Sequence, residues 1–276
     1  MQRRQFLKTS IPVLVLLANG EIVQGTGKYL AENGKKSKLR FAVASDGHYG
    51  QPGTEYAKNY QQVVEQINLQ HKKKRLDCCI INGDIIHNSP SFLAPAKKCL
   101  DQLKMPYYVT QGNHDMVTEA VWTDTWNMPF NYAFVMKGQV FILASSSNEK
   151  GDYLCPDLIW MKAQLEKHKA AENVFIFVHI TQVKWTKYGI DSPDFIDLIS
   201  QYKNVRTVFH GHDHDQDDVK SKNNITFLFD SHIGSSWGTA YKGYRIVELM
   251  DDNSIVTYMM NPIDKLNELV LNLSDK

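Results

Sequence analysis

Short apolar runs along the chain end abruptly in small clusters of polar residues. Each run is rich in valine, isoleucine or aromatic residues, a composition typical of buried strands. The runs and the clusters that end them are Leu39–Ser45 before Asp46-Gly47-His48, Leu76–Asn82 before Gly83-Asp84, Pro106–Thr110 before Gly112-Asn113-His114-Asp115, Asn173–Val178 before His179, and Val205–Phe209 before His210-Gly211-His212-Asp213-His214. The pattern predicts five strands, each followed by a polar loop.

Between several of these runs, apolar residues recur at helical spacing. The predicted helices are Tyr56–Leu69, Ser91–Leu103, Pro156–His168 and Ser192–Tyr202. Strands that alternate with helices imply parallel pairing, with the helices on the faces of the sheet. Further strands are predicted at Phe134–Ser145, Ile225–Asp230, Tyr244–Met250 and Ile255–Met260, and we expect these to form a second sheet. An amphipathic segment, Ile263–Leu273, predicts a terminal helix.

The N-terminus has the layout of an export signal. Arg3 and Arg4 precede a short apolar run, Ile11–Ala18, which is far shorter than the roughly 20 residues of a membrane-spanning helix. The paired arginines resemble those of bacterial twin-arginine signals and predict a periplasmic protein, the alternatives being a disordered basic tail or an uncleaved anchor. We therefore divide the 276 residues into a signal peptide (1–24), a linker (25–38), one folded domain (39–262) and a C-terminal helix or tail (263–276).

The balance of charge argues against a nucleic-acid partner. The formal net charge is +1, and removal of residues 1–24, which hold three basic residues and one acidic residue, leaves −1. Nucleic-acid-binding domains usually carry a marked positive excess. The one basic run, Lys72–Arg75, follows a predicted helix, where cations complement the helix dipole.

The polar clusters predict a metal site. In open α/β sheets, functional residues gather beyond the carboxyl ends of the strands, so all five clusters should converge on one crevice. They contain histidine, aspartate and one asparagine but no cysteine, a ligand set that suits zinc, iron or manganese. At least seven candidate ligands are more than one ion needs. Two ions ~3.5–4 Å apart are the usual arrangement for hydrolysing phosphate esters.

The order of these motifs resembles the metallophosphoesterase superfamily, the calcineurin-like phosphoesterases. The likeness runs from about Leu39 to Asn261, and five motifs in order, each after an apolar run, are far more specific than any one of them. The resemblance implies a four-layer α/β/β/α sandwich, in which two mixed β-sheets are flanked by helices. It also implies two divalent metal ions, drawn from manganese, zinc, iron, nickel or cobalt, and a hydroxide between them that attacks phosphorus.

The resemblance further implies a role for each motif residue. One metal ion would be bound by Asp46, His48 and His214, the other by Asn113, His179 and His212, and Asp84 would bridge both. His114 would lie near the leaving oxygen, either as a general acid or as a cation that stabilises the transition state. Asp115 is predicted to orient His114, with a plain turn residue as the alternative.

Two histidines near the motifs are not predicted to be ligands. His87 stands where the family often has aspartate or asparagine. We interpret it as a turn residue or as a residue that contacts a ligand side chain without binding the metal ion. His210 lies on the opposite strand face from the last motif, so we expect it to be buried.

Substrate selection is expected to come from the longer loops. These are Met116–Asn131, with Trp122, and Thr181–Pro193, with Trp185, and a third candidate contact is His232. An aromatic ring could stack on a base or sugar, whereas the alternative is ordinary packing. The predicted substrate is a small phosphate ester, such as a nucleotide or a lipid headgroup. The alternatives are a nuclease of the same superfamily and a metal-stabilised binding module without turnover.

Overall fold

A computed structural model describes residues 13–16, 22–25, 36–261 and 264–271. These residues contain fourteen strands and five α-helices. The strands are β1 (Val13–Leu16), β2 (Ile22–Gly25), β3 (Ser37–Ala44), β4 (Cys78–Asn82), β5 (Tyr107–Thr110), β6 (Tyr132–Met136), β7 (Gln139–Leu143), β8 (Val174–Phe177), β9 (Val205–His210), β10 (Val219–Lys222), β11 (Ile225–Phe229), β12 (Tyr244–Met250), β13 (Ile255–Asn261) and β14 (Asp264–Leu271). The helices are α1 (Tyr56–Lys73), α2 (Leu93–Leu100), α3 (Glu119–Trp126), α4 (Leu158–Lys167) and α5 (Pro193–Ser200), and a short 3-10 turn, Pro90–Phe92, leads into α2.

The strands form two mixed sheets. The first has the order β2-β1-β14-β13-β12-β3-β4-β5, and the second has the order β10-β11-β9-β8-β7-β6. Within the first sheet β3, β4 and β5 are parallel, and within the second β7, β8, β9 and β11 are parallel. The parallel pairing predicted for the strands that carry the motifs is therefore confirmed.

Three apolar layers hold the sheets and helices together. One lies between the first sheet and helices α1 to α3, and another lies between the second sheet and helices α4 and α5. The third lies between the sheets, where the ring of Phe41 meets those of Phe141 at 5.2 Å and Phe175 at 5.5 Å. This is the predicted α/β/β/α sandwich. All four cysteines lie in the described residues and are free thiols, with Cys78 and Cys79 buried.

Four sequence predictions about elements are wrong. The single strand predicted at Phe134–Ser145 is instead the antiparallel pair β6 and β7, with a turn between them. Strands β12 and β13 belong to the first sheet, where β12 pairs with β3, and not to the second. The terminal helix predicted within 263–276 is instead strand β14, because its pairing with β13 outweighs the helical spacing of its apolar residues. The predicted loop Met116–Asn131 contains helix α3, whose first turn is capped by the Thr118 hydroxyl accepting a hydrogen bond from the Val121 amide.

The structure describes only part of the segment for which a signal peptide and a linker are predicted. Arg3 and Arg4, like most of the linker, lie outside the described residues. Strands β1 and β2 fall inside or overlap the predicted signal peptide and form one edge of the first sheet, joined to it through β14. Within the described residues, no helix is both long enough and apolar enough to cross a bilayer. Export stays a prediction.

Candidate metal centre

The polar loops meet where strands from both sheets end. β3, β4 and β5 lead into the loops of Asp46, Asp84 and Asn113, and β8 and β9 lead into those of His179 and His214. Backbone hydrogen bonds join neighbouring loops, from the amide of Asp46 to Gly83 and from that of Gly211 to His179, each 3.1 Å long. The predicted convergence on one crevice is confirmed, with the two sheets contributing different loops.

One group of four side chains surrounds the first candidate ion position. Asp46, His48, Asp84 and His214 each offer an atom within 4.8 Å of those of the other three. His214 Nε2 lies 2.9 Å from Asp46 Oδ1 and 3.1 Å from His48 Nε2, and His48 Nε2 lies 3.5 Å from Asp84 Oδ2. All four residues are buried. Two carboxylates and two imidazoles form a nitrogen and oxygen ligand set for a divalent ion.

A second group shares Asp84 with the first. Ligand atoms of Asp84, His179 and His212 lie within 4.8 Å of one another, and His179 Nε2 is 3.2 Å from Asp84 Oδ2. Asn113 belongs to the neighbouring loop, and its side-chain oxygen is buried. The structure thus brings together six of the seven predicted ligands, with Asp84 in the shared position, and places Asn113 in an adjacent loop.

The buried polar atoms of the second group indicate that it binds a ligand. Asn113 Oδ1 and His212 Nε2 are buried and have no hydrogen-bond partner, and the buried atoms Asp84 Oδ2 and His179 Nε2 have only their ion-pair contact with each other. A buried polar atom left unpaired costs about 1–3 kcal/mol, so native proteins rarely leave such atoms together without a ligand. His179 donates its Nδ1 proton to the Asn82 carbonyl at 2.7 Å, which directs Nε2 into the centre. The donor set fits metal ions.

The histidines of the centre differ in the direction in which their pKa values are shifted. Burial lowers the pKa of His48 and that of His212 to about 3, so both imidazoles keep a free lone pair. For His179, burial alone would lower the pKa, but the carboxylates of Asp84 and Asp46 outweigh it and raise the pKa to about 10. In chelated protein at neutral pH, His179 is therefore protonated and must lose that proton to bind an ion.

Metal binding is expected to release protons. Loading chelated protein near pH 7 should release at least about one proton per chain, one from His179, because a metal ligand must be deprotonated, and any further proton from water bound to the ions. Calorimetry in two buffers of different ionisation enthalpy measures that number, and metal affinity should rise with pH until the histidine titrates. The His168→Gln variant, changed at the end of α4, should release the same number. Binding without proton release would contradict the place of His179 among the ligands.

Four of the candidate ligands have a strained backbone. The φ angles of Asp46, His48, Asp84 and His212 are 58°, 45°, 51° and 65°, so four of the seven candidate ligands adopt a left-handed conformation. Such angles are uncommon outside glycine and cost of order 1–3 kcal/mol each where the surroundings enforce them. The strain belongs to the loops that direct these side chains inward, which is a mark of a functional site.

Replacement of Gly83 by alanine is expected to disable the centre. A Cβ atom there would lie 2.4 Å from His179 Nδ1, and the φ of Gly83 is +88°. Displacing the imidazole by about 1 Å should lower kcat/KM by at least about 100-fold. Gly138→Ala is the matched control, because Gly138 has a φ of +76° but open space around its Cβ. Equal losses in the two variants would show that backbone strain, and not the clash with His179, is responsible.

His114 lies beside the centre and reaches the surface. Its backbone amide donates a hydrogen bond of 2.7 Å to Asp84 Oδ1, and its ring centroid is 4.8 Å from that of His48. Its ring also stacks on that of His87 at 4.9 Å. The half-buried ring is therefore held against the candidate ligands.

The predicted contact between Asp115 and His114 is wrong. The Asp115 carboxylate turns inward and accepts hydrogen bonds from the backbone amides of Gly112 and Ile86, each 2.9 Å long. It joins two of the metal-binding loops instead of orienting the imidazole. The residue that does contact His114 is Asn88, whose side-chain oxygen accepts from Nδ1 at 2.6 Å. Sequence reasoning missed Asn88, which lies in no motif.

Removal of the Asn88 side chain is expected to slow hydrolysis. Asn88→Gly leaves His114 without its hydrogen-bond acceptor, and glycine suits the φ of +64° at this position. Loss of a group that orients an active-site imidazole should lower kcat by about 10-fold or more. Asn88→Asp keeps an acceptor and should retain more activity than Asn88→Gly. If steady-state kinetics give the reverse order, the hydrogen bond does not orient His114.

The remaining histidines near the motifs have other contacts. Nδ1 of His87 lies 3.2 Å from Nδ1 of His48, and ligand atoms of His48, His87 and His114 lie within 4.8 Å of one another, so the placement of His87 outside the ligand set stays a prediction. His210 is buried and donates its Nδ1 proton to the Val178 carbonyl at 2.7 Å, as expected for a core residue.

The predicted substrate contacts are only partly placed at the centre. Trp122 is fully buried in the core beneath α3, and the half-buried ring of Trp185 packs against Phe227 at 5.0 Å, so neither indole faces the crevice. His232 does lie there, with its ring 5.6 Å from that of His214 and on the wall of a cavity of about 450 Å³. The aromatic rings that do reach the centre are Tyr188, which lies in the predicted substrate-selecting loop Thr181–Pro193, Trp237, which follows His232 in the sequence, and Tyr153, which was not predicted.

A buried cluster of histidines and carboxylates between two sheets of a four-layer sandwich defines a metallophosphatase-type site. The sequence profile of the calcineurin-like phosphoesterase family matches residues 39–216, and the chain belongs to that family. It is therefore a metal-dependent phosphoesterase. No curated protein sequence matches the chain.

Solved structures support the same fold. A dimetal phosphatase from Danio rerio superposes with a TM-score of 0.71 at 14% identity, over 87% of this chain and 100% of that one. A putative 5'-nucleotidase from Staphylococcus aureus superposes with a TM-score of 0.51 at 13% identity, over 86% of this chain and 55% of that one. At these identities the likeness concerns the fold.

Proposed function

We propose that the protein hydrolyses small phosphate esters, monoesters or diesters, with two divalent metal ions. The observation that supports this most directly is the shared position of Asp84 between two groups of ligand atoms, each within 4.8 Å. One ion would be held by Asp46, His48 and His214, the other by Asn113, His179 and His212, and Asp84 would contact both. When bound, two such ions would lower the pKa of a water molecule and neutralise charge on the phosphoryl oxygens.

The residues of the chain supply the remaining chemistry. Asn88 accepts the hydrogen bond from Nδ1 of His114, which leaves Nε2 of the imidazolium form to give a proton to the leaving oxygen. The Asp115 carboxylate keeps the loops of Asp84 and Asn113 in register through two backbone hydrogen bonds. Burial of the ligands excludes bulk water and strengthens their interaction with charge at phosphorus.

Two alternatives are less well supported. A nuclease would need a basic surface for the polyanion, but the formal net charge of the chain is only +1. A binding module without turnover would have no need of the hydrogen bond between Asn88 and His114, and six of the seven candidate ligands already converge in two groups.

Hydrolysis of chromogenic esters tests the proposal. Chelated protein is reloaded with manganese, zinc, iron, nickel or cobalt and is assayed on p-nitrophenyl phosphate and bis(p-nitrophenyl) phosphate. We expect turnover of at least one ester with at least one metal. No turnover with any of the five, in protein shown to hold two ions, would favour the binding module.

We also propose that residues 1–24 export the protein to the bacterial periplasm. Cleavage after residue 24 would remove β1 and most of β2, but all seven candidate ligands lie beyond that point. A reporter fused to the chain should appear in the periplasm, and the Arg3→Lys, Arg4→Lys double variant should keep it in the cytoplasm. Equal export of the wild type and the double variant would contradict a twin-arginine route.

A further inference from the structure

Three exposed aromatic rings border the histidines of the last motif. The Tyr153 ring meets that of His212 edge-on at 4.7 Å, and the Trp237 ring stacks on that of His214 at 4.2 Å. Tyr188 lies between them, 6.1 Å from His212 and 5.6 Å from Trp237. Together these three residues, the aromatic rim, line the approach to the metal centre.

The exposure of the aromatic rim is not typical of the molecule. Tyr153, Tyr188 and Trp237 are 40%, 37% and 41% exposed, and they are the only aromatic residues among the large hydrophobic residues exposed in the described part of the chain. Apolar surface gathered at one functional site usually marks a contact with a ligand. A phosphate group on its own gives no reason for such a surface, so the rim faces the organic part of the ester.

The Trp237 ring is held in place before any ligand arrives. Its neighbour Ser236 makes two hydrogen bonds with the Gln51 side chain, one from its backbone amide at 3.1 Å and one to its hydroxyl at 3.2 Å. Two residues further on, the Thr239 amide donates to the His214 carbonyl at 2.9 Å. A fixed ring loses little conformational freedom on binding, which favours affinity.

The charge at the aromatic rim selects between two kinds of ligand. Aromatic rings can surround a quaternary ammonium group, as in a choline ester, or can stack on a planar group. The ammonium group of Lys187 already lies over the Tyr188 ring, 5.1 Å from its centroid. A cationic ligand would meet this like charge, whereas a neutral planar ligand would not.

We propose that the ester carries a planar aromatic group, either a nucleobase or a simple aryl ring, which stacks on Trp237 and Tyr188. This inference rests on the proposed function, because it concerns the leaving group of the same reaction. The phosphate would lie over the metal centre, and the planar group would extend along the aromatic rim.

Paired substrates test this inference in the metal-loaded protein. Adenosine 5'-phosphate is compared with ribose 5-phosphate, and 2-phenylethyl phosphate with ethyl phosphate, so that each pair differs in the planar group. Trp237→Ala and Tyr188→Ala should lower kcat/KM by about 10-fold or more for the aromatic member, mainly through KM, and leave the other within about twofold. Trp237→Phe should recover part of the loss. Leu69→Ala, an exposed change at the far end of α1, should affect neither.

The results distinguish a nucleobase from any other aryl group. They also distinguish failure of this inference from failure of the proposed hydrolysis. A loss confined to the adenosine pair assigns a nucleobase, and a loss in both pairs assigns any aryl group. Equal losses for both members of each pair, or a loss only with phosphocholine, would overturn the inference. Binding of adenosine and ribose to the same proteins is measured by calorimetry, so that stacking is tested even if no ester is hydrolysed. Adenosine binding that is unchanged by Trp237→Ala and Tyr188→Ala would also overturn it.

Discussion

Replacement of Asp84 by asparagine is expected to abolish hydrolysis and to lower the metal content. The change removes the negative charge that both ligand groups share while keeping the size of the side chain, and asparagine tolerates the φ of 51° at this position. The oxygen that accepts from the His114 amide can also remain. Losing several kcal/mol of metal-derived stabilisation corresponds to a fall in kcat of at least about 10³-fold.

The control for this variant is Asp101→Asn. Asp101 is a surface carboxylate paired with Lys97 at the end of α2, so its neutralisation changes the net charge equally and leaves the centre intact. Elemental analysis and steady-state kinetics on both variants give the comparison. Wild-type turnover in Asp84→Asn would refute the shared position of Asp84.

Replacement of His114 by alanine is expected to slow hydrolysis while sparing the metal ions. The imidazole is not among the seven candidate ligands, and in the proposed mechanism its Nε2 protonates the leaving oxygen while Asn88 accepts from Nδ1. Loss of a general acid should lower kcat by about 10²–10⁴-fold. The loss should be largest for esters whose leaving alcohols have a high pKa, since these need the proton most.

A series of phosphate esters with graded leaving groups measures this dependence. In His114→Ala, log kcat should fall more steeply with leaving-group pKa than in the wild type, and elemental analysis should still give two ions per chain. Identical slopes would indicate that His114 acts as a fixed charge, without donating a proton. A parallel loss of metal would place it among the ligands.

The candidate ligands could be predicted from the sequence because each lies in the loop that follows a strand. Asp46, Asp84 and His179 come two residues after buried strands, and parallel strands place such positions at one edge of a sheet. The short apolar runs and the polar residues that end them are local features. Six of the seven candidate ligands therefore converge as predicted, and Asn113 lies in an adjacent loop.

The division of strands between two sheets could not be predicted in the same way. Strands β12 and β13 are buried on both faces at nearly every position, so their residues carry no pattern that identifies a neighbouring strand. Strand β14 shows the converse problem. Its apolar residues have helical spacing, but its pairing with β13 decides its structure.

The side-chain contacts of His114 depend on the conformation of the loops, which a sequence motif does not predict. Asp115 is adjacent to His114 in the sequence, yet its carboxylate faces inward to two backbone amides. Asn88 is 26 residues away and reaches the imidazole because its left-handed backbone turns the side chain toward it. Trp122 shows the same limit, since the helix that buries it was predicted as a loop.

Titration of chelated protein with metal tests the central claim most directly. Activity on a chromogenic phosphate ester is measured against the number of ions bound per chain, as determined by elemental analysis of the same samples. If Asp84 joins two sites, activity should rise until two ions are bound per chain and then stay constant, and Asp84→Asn should remain inactive throughout. Full activity with one bound ion, or with none, would contradict a binuclear centre.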